Sequence, residues 1–174
     1  RKAYYESQYQ AVSEIEGLFG ELEGVSFQDT INDFWEAMQE MVKEPDNIVA
    51  RASFVQTAVS FLERANSIYS QLCDYQVSLN TQILQQVKRI NEIGDEISKL
   101  NKKITYYESS GLENANDLRD QRNLLLDELG KYAYITYRED KNGVVTVKLE
   151  GMAFVTEDRV YHMGTAKVSE DTPM

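Results

Sequence analysis

The sequence has little of what builds covalent staples, metal sites or phosphate grips. Its one cysteine, Cys73, leaves no internal disulfide to form, so packing alone must hold the fold. On a helical segment that thiol reads as a small buried apolar residue. The one histidine, His162, has no second histidine with which to build a metal site. Neither a glycine-rich phosphate loop nor a serine-nucleophile motif occurs. Lysine and arginine number 18 against 29 acidic residues, giving a formal charge of −11 and a pI near 4.6. A phosphate backbone is bound by clustered basic residues that displace counterions, so nucleic acid is disfavoured as a partner, and so is an anionic membrane surface. No apolar run approaches the ~20 residues needed to span a bilayer, and no basic start leads into an apolar signal core. A soluble chain without a cleavable signal is expected. Arg1 in place of an initiator methionine suggests a piece of something longer.

What is present is periodic. The 174 residues are 42% hydrophobic and 27% charged, enough for one domain with a core or for a helical body with a small appendage. Tyr5, Val12, Ile15, Phe19 and Leu22 keep helical spacing and predict an amphipathic first helix ending at Gly24. Ser26 followed by Asp29 has the form of a capping box, after which Ile31, Phe34, Trp35, Met38 and Val42 line one face of a second helix. Pro45 stops that helix, and Asp46 is placed to cap the next.

The following segment is the most informative. Counting in sevens from Ile48 gives Val55, Leu62, Tyr69, Gln76, Ile83, Ile90, Ile97 and Ile104. Three residues after these positions come Ala58, Ala65, Leu72, Leu79, Ile93, Leu100 and Tyr107, with Arg51 and Gln86 breaking the series. A repeat sustained this long without proline predicts one helix of ~90 Å, at about 1.5 Å per residue, with a coiled-coil seam. Gly94 inside it costs about 1 kcal/mol against alanine. Beside the seam stand Phe54, Phe61, Ile68 and Tyr75 in the first half, then Gln82, Arg89, Glu96 and Lys103. A wide stripe asks for several neighbours and a narrow one for a single partner. The first two helices are therefore expected on the first half. Shorter helices folded back on so long a rod leave its middle bare, so Tyr69, Leu72, Leu79, Ile83 and Ile90 are expected to form an interaction seam covered by a helix absent from this chain or by a neighbouring chain.

Ser109, Ser110 and Gly111 end the long helix in this reading, and Asn114 caps a fourth that runs to Leu129 with Gly130 as its stop. From Tyr132 the period becomes two, through "YAYITYR", a turn at "EDKNG" with asparagine-glycine turn chemistry at Asn142 and Gly143, "VVTVKLE", and after Gly151 "MAFV", "TED" and "RVYHM". The polar tail from Thr165 is expected to fray. The fold class is thus α+β and mainly α: an elongated antiparallel bundle or coiled-coil rod with one very long helix (residues 1–131, helices at 3–23, 29–43, 47–109 and 115–129). It is followed by a small antiparallel β meander (132–174) that begins a β-rich domain.

The stretch "NDLRDQRNLLLDEL", residues 116–129, is the one candidate for chemistry. Asp117 could meet Asp120 or Gln121 across a helical turn, as an acid/base pair or metal site requires, but no histidine accompanies them. The structural alternative has Asp117 at the positive end of the helix dipole and Arg122 reaching to the long helix or the strands to fix the angle between them. Eleven tyrosines, among them Tyr5, Tyr9, Tyr69, Tyr75, Tyr106 and Tyr107 on predicted helices, suit half-buried and interface positions. No catalytic, cofactor-binding or metal-binding residue is assigned, and no cofactor is expected.

"INDFWEAMQEMVKEPDNIVARASFVQTAVSFLERAN" resembles the N-terminal part of the flagellar hook-associated protein 1 family through Phe34, Trp35, Pro45, Arg51 and Leu62. The family's N-D-L-L-D-x-R-D pattern and its V-x-x-x-G-x-x-L-V-like ending are similar to the run here of Asn116, Asp117, Leu118, Asp120, Gln121, Arg122, Leu125, Leu129, Gly143, Val147 and Gly151. Arg119, Asn123 and Phe154 depart from it, so ion pairs at those family positions do not carry over. The resemblance, over residues 1–162, implies a non-enzymatic structural fragment of the hook–filament junction, extracellular and exported through the flagellar type III apparatus. It implies as partners neighbouring copies in a ring, the hook protein, the next junction protein and an export chaperone. The alternative is a coiled-coil adaptor whose exposed seam recruits a partner helix.

Overall fold

The computed structural model describes residues 2–20, 26–109 and 115–166. The features expected at Leu22, Gly24, Ser110, Gly111 and Asn114, and most of the polar tail, lie outside these residues. Within them the order is α1 (Lys2–Gly20), α2 (Phe27–Lys43), α3 (Ile48–Ser109), α4 (Asn116–Tyr132), β1 (Ile135–Glu139), β2 (Val145–Leu149) and β3 (Met152–Val155). The fold is mainly helical, with one very long helix followed by a three-stranded antiparallel sheet in the order β1-β2-β3. Contacts divide the chain between Leu79 and Asn80, inside α3. The boundary expected at residue 131 falls within the second unit, because the strands bury their inner face on helices and have no core of their own.

In the first unit α2 starts where its cap dictates. The Ser26 hydroxyl accepts from Asp29 N at 3.1 Å while the Asp29 carboxylate accepts from Ser26 N at 3.1 Å, satisfying two orphan donors at once. At α3 the cap is Asn47, one residue beyond Asp46; its Oδ1 accepts from Val49 N at 2.9 Å and Ala50 N at 3.3 Å. Phenylalanines carry the packing: Phe27 and Phe34 stack on Phe61 with centroids 5.7 and 5.6 Å apart, Phe34 stacks on Phe54 at 5.4 Å, and Phe19 meets Phe27 edge-on. Only Ala37, Ala50 and Ile68 are buried among the described residues of this unit. The inward face of α2 runs through Phe34, Ala37 and Met38, leaving Trp35 and Val42 exposed against expectation. The face expected of α1 is likewise open at Tyr5, Val12, Ile15 and Phe19.

In the second unit Ile90, Ile93 and Ile97 of α3, Leu126 and Leu129 of α4, and Val145, Val147, Leu149, Phe154 and Val155 of the sheet form one core. Each fully buried aliphatic or aromatic side chain there contributes roughly 1.5–3 kcal/mol. β2 alternates buried and exposed residues along its whole length, as a strand covered on one face must. Gly94 now has its reason. A Cβ there would lie 2.7 Å from the Phe154 ring and 2.9 Å from Val160, so the missing side chain is the socket into which the sheet's largest fully buried residue packs. Gly130, expected as a stop, lies inside α4, which continues to Tyr132 and closes at Ala133.

The turns differ from the expected asparagine-glycine hairpin. Between β1 and β2 the organiser is Asp140, whose carboxylate accepts from Asn142 N at 2.9 Å and Val144 N at 2.8 Å, with Gly143 at φ +76°. The two-residue turn with both central residues at positive φ is Glu150-Gly151, at 49° and 83°, between Leu149 and Met152. Glu150 is held in that conformation by a reciprocal pair with Tyr134: its N–H donates to Tyr134 O at 2.9 Å, and its carboxylate accepts from Tyr134 N at 2.9 Å.

Candidate functional site

The most elaborate polar arrangement of the second unit lies where α3, the start of α4 and the β1–β2 turn meet. Asn101, on the sheet-facing side of α3 and 4% exposed, behaves like an added strand residue: its Nδ2 donates to Val145 O at 2.8 Å and its Oδ1 accepts from Val145 N at 3.1 Å. Arg122 enters from α4, 1% exposed, and donates through Nη1 to Asn101 Oδ1 at 2.9 Å and to Gly143 O at 2.5 Å, and through Nη2 to Glu139 Oε1 at 2.9 Å. One guanidinium thus ties together the long helix, the turn and an edge strand. Its charge is matched by Glu139, without which a buried cation would be strongly unfavourable. Its Nε finds no acceptor among the described residues.

One turn earlier on α4, Arg119 forks onto Glu108 at the end of α3, Nε to Oε1 at 2.9 Å and Nη2 to Oε2 at 2.8 Å, and also pairs with Glu139. Glu108 Oε1 accepts in addition from the N–H of Ala115, the N-cap residue of α4, at 3.2 Å and so ties the start of that helix to the end of α3. The hydrogen bond from Arg119 holds the Glu108 carboxyl below the usual carboxylate range, so Glu108 has no proton to give near neutral pH. Gly143 is needed twice here: its φ is left-handed, and a Cβ would stand 2.9 Å from Arg119 Nη2 and 3.1 Å from Glu108 Oε2. A second fork joins the same helices further along, Arg89 Nε and Nη2 each reaching a Glu128 oxygen at 2.8 Å. That bond lowers the Glu128 pKa. Chemically the arrangement is a clamp of satisfied charges.

Of the candidate residues named in that stretch, Asn116, Asp117, Asp120 and Arg122, only Arg122 enters this clamp, joined by Arg119 of the same stretch. Asn116, Asp117 and Asp120 are exposed on α4, and no group of three potential metal ligands occurs among the described residues. Arg119 and Glu108 were not among the candidates. The sequence signal for Arg119 was its departure from the expected leucine, and for Asn101 a polar residue set beside the apolar seam. His162, the lone histidine, bonds Asp95 at 2.9 Å, beside the reciprocal pair of Asn91 with the Met163 backbone.

The flagellar hook-associated protein FlgK helical domain family matches residues 12–174. This chain belongs to that family. The flagellar hook-associated protein 1 of Bacillus subtilis (strain 168) is 29% identical over 140 residues, covering 80% of this chain and 27% of that protein. The solved structure of the flagellar hook junction protein FlgK from Burkholderia pseudomallei superposes with a TM-score of 0.76 over 92% of this chain, at 21% identity. At that identity the likeness speaks for the fold, and the fold agrees. The chain spans 27% of the length of both relatives. The family match covers both units, so the clamp and the open helices of the first unit belong to one family domain.

The seam residues fall on two sides. On α3, Tyr69 is 70% exposed and Ile83 52%, with Leu72 and Leu79 half-buried. Ile90, expected with them, is 6% exposed and packs in the core of the second unit, because the sheet and α4 close over the helix from that point. Val55, Val59 and Leu62 are open as well, so the exposed stripe starts earlier than expected and stops before Ile90.

Proposed function

We propose that the chain is a structural part of a flagellar hook-associated protein that joins hook to filament by subunit packing, without catalysis. The family match supports the hook-associated role. The observation that carries the packing role is the apolar stripe of Val55, Val59, Leu62 and Tyr69, left open on a helix of a mainly polar chain. Such a stripe is covered in the working protein, because an exposed apolar patch of this kind marks an interface. Its occupant in this proposal is a helix from the remainder of the polypeptide, consistent with a chain that spans 27% of its relatives. Neighbouring copies in a ring, the hook protein and the next junction protein are the assembly partners. Export proceeds through the flagellar type III apparatus, aided by a chaperone, to an extracellular flagellar location.

The same stripe supports a second reading, a coiled-coil adaptor that recruits the helix of another protein. Complementation separates them. In cells lacking the gene, the full-length protein carrying Leu62→Asp and Tyr69→Asp is expected to be made and exported but to leave hooks without attached filaments. Normal swimming by that variant, or wild-type swimming in the deletion strain itself, would remove the junction role.

A further inference from the structure

The second unit carries a basic face on an acidic chain. Residues 1–79 hold five basic and thirteen acidic side chains, whereas residues 80–174 hold thirteen and sixteen. Within the second unit Lys99, Lys102 and Lys103 share the solvent side of α3 with Tyr106, which is 75% exposed, and Tyr107, which is 57% exposed. None of the three lysines has a carboxylate partner among the described residues. Lys102, Lys103, both tyrosines and Leu118 line a shallow cleft of about 350 Å³. Unpaired ammonium groups beside exposed phenol rings fit an acidic helical surface, since tyrosine supplies contact area and lysine supplies steering.

The first unit offers such a surface. On α2 and its C-cap residue Glu44, the acidic residues Asp33, Glu36, Glu40 and Glu44 recur at spacings of three and four and are all exposed, with Glu40 and Lys43 forming an exposed pair. They set a row of negative charge on one face, complementary in sign to the row of Lys99, Lys102 and Lys103 along α3. We infer that the Lys99–Lys102–Lys103 face, with Tyr106 and Tyr107, docks the acidic stripe of α2 from a second copy of this chain. Two different patches then meet, so the contact is head-to-tail and repeats from copy to copy, closing into a ring if the rotation allows. The inference rests on the assembly role proposed above and names the surfaces through which copies meet.

The test uses the full-length protein, its other cysteines removed, as two co-expressed chains, one carrying Glu40→Cys and the other Lys102→Cys. Mild oxidation of isolated flagella is expected to give a disulfide-linked dimer containing one chain of each kind. Neither chain expressed alone gives comparable product. Lys99→Glu with Lys103→Glu, added to the Lys102→Cys chain, lowers the yield of dimer roughly tenfold or more through like-charge repulsion, and Asp33→Lys with Glu36→Lys, added to the Glu40→Cys chain, restores it. Absence of the mixed dimer in flagella that contain both chains overturns the inference, as does a yield indifferent to charge reversal. Failure of either chain to enter flagella at all would instead count against the junction role.

Discussion

The two units solve the problem of an amphipathic helix in opposite ways. In the second, α3 is closed over by a helix and a sheet, and its seam residues Ile90, Ile97 and Ile104 are at most 6% exposed. In the first, the same helix with the same seven-residue repeat leaves Val55, Leu62 and Tyr69 at least 57% exposed, and among the described residues three small or aliphatic ones make up the buried set. A heptad repeat states that a helix has a partner; it does not state which polypeptide segment supplies it. The second unit carries its partner with it, and the first holds a stripe ready for one.

Four measurements would break or sharpen that contrast. The largest effect is expected from Phe154→Ala, which empties the socket at Gly94 and should cost the second unit about 3–5 kcal/mol in denaturant unfolding, leaving helical signal from the first unit in place. Arg122→Ala comes next. It strands Gly143 O and frees Asn101 and Glu139, for about 2–3 kcal/mol, and hydrogen exchange should show the β1–β2 turn opening before the rest of the core. A fall of less than ~0.5 kcal/mol, the range of ordinary surface substitutions, would mean that the clamp only decorates an apolar core.

The third is acid. Glu108 and Glu128 have folded-state pKa values lowered by hydrogen bonds from Arg119 and Arg89. Their stabilisation is complete above the unfolded carboxylate value of about 4.3 and is lost as pH falls through the lower folded values. The second unit should therefore destabilise below pH ~4.3, and a Glu108→Gln, Glu128→Gln variant should be less stable at neutral pH and show a shallower acid slope. The smallest effect is expected on the stripe: Leu62→Ser with Tyr69→Ser should change the stability of this chain by less than ~0.5 kcal/mol while raising its solubility. A large loss of stability would show that the chain already covers the stripe.

Much of the secondary structure could be read from residue order. The Ser26–Asp29 box, the stop at Pro45, the unbroken repeat from Ile48 and the change of period after Tyr132 all correspond to observed elements. These are local signals, carried by residues within one or two turns of each other. Burial was less legible. Trp35 and Val42 belong to the apolar side of α2 by spacing, yet the phenylalanine stack turns the helix so that Phe34 and Ala37 face inward. The candidate motif offers two readings by sequence, its aspartates as a site or Arg122 reaching to the long helix or the strands, and it is Arg122 that makes those contacts. The structure uses its arginines, since their reach to Glu108, Glu139 and Asn101 spans 11 to 21 residues, which no local pattern reports. The primed turn went to Glu150-Gly151 instead of Asn142-Gly143, because the reciprocal bonds with Tyr134 offset the cost of a positive φ at glutamate.

Asn101 has a consequence for load. Apolar side chains on a helix repeat nearly every turn, so an interface made of them alone can slip by a turn and still find oil against oil. A carboxamide hydrogen-bonded to both the N–H and the carbonyl of Val145, and gripped by Arg122 as well, has one correct axial position. A pull along α3 must break both Asn101–Val145 bonds together, in shear, before the sheet can slide. The sheet is therefore pinned to the helix as a cleat is pinned to a spar, and tension applied to one is delivered to the other at a fixed point.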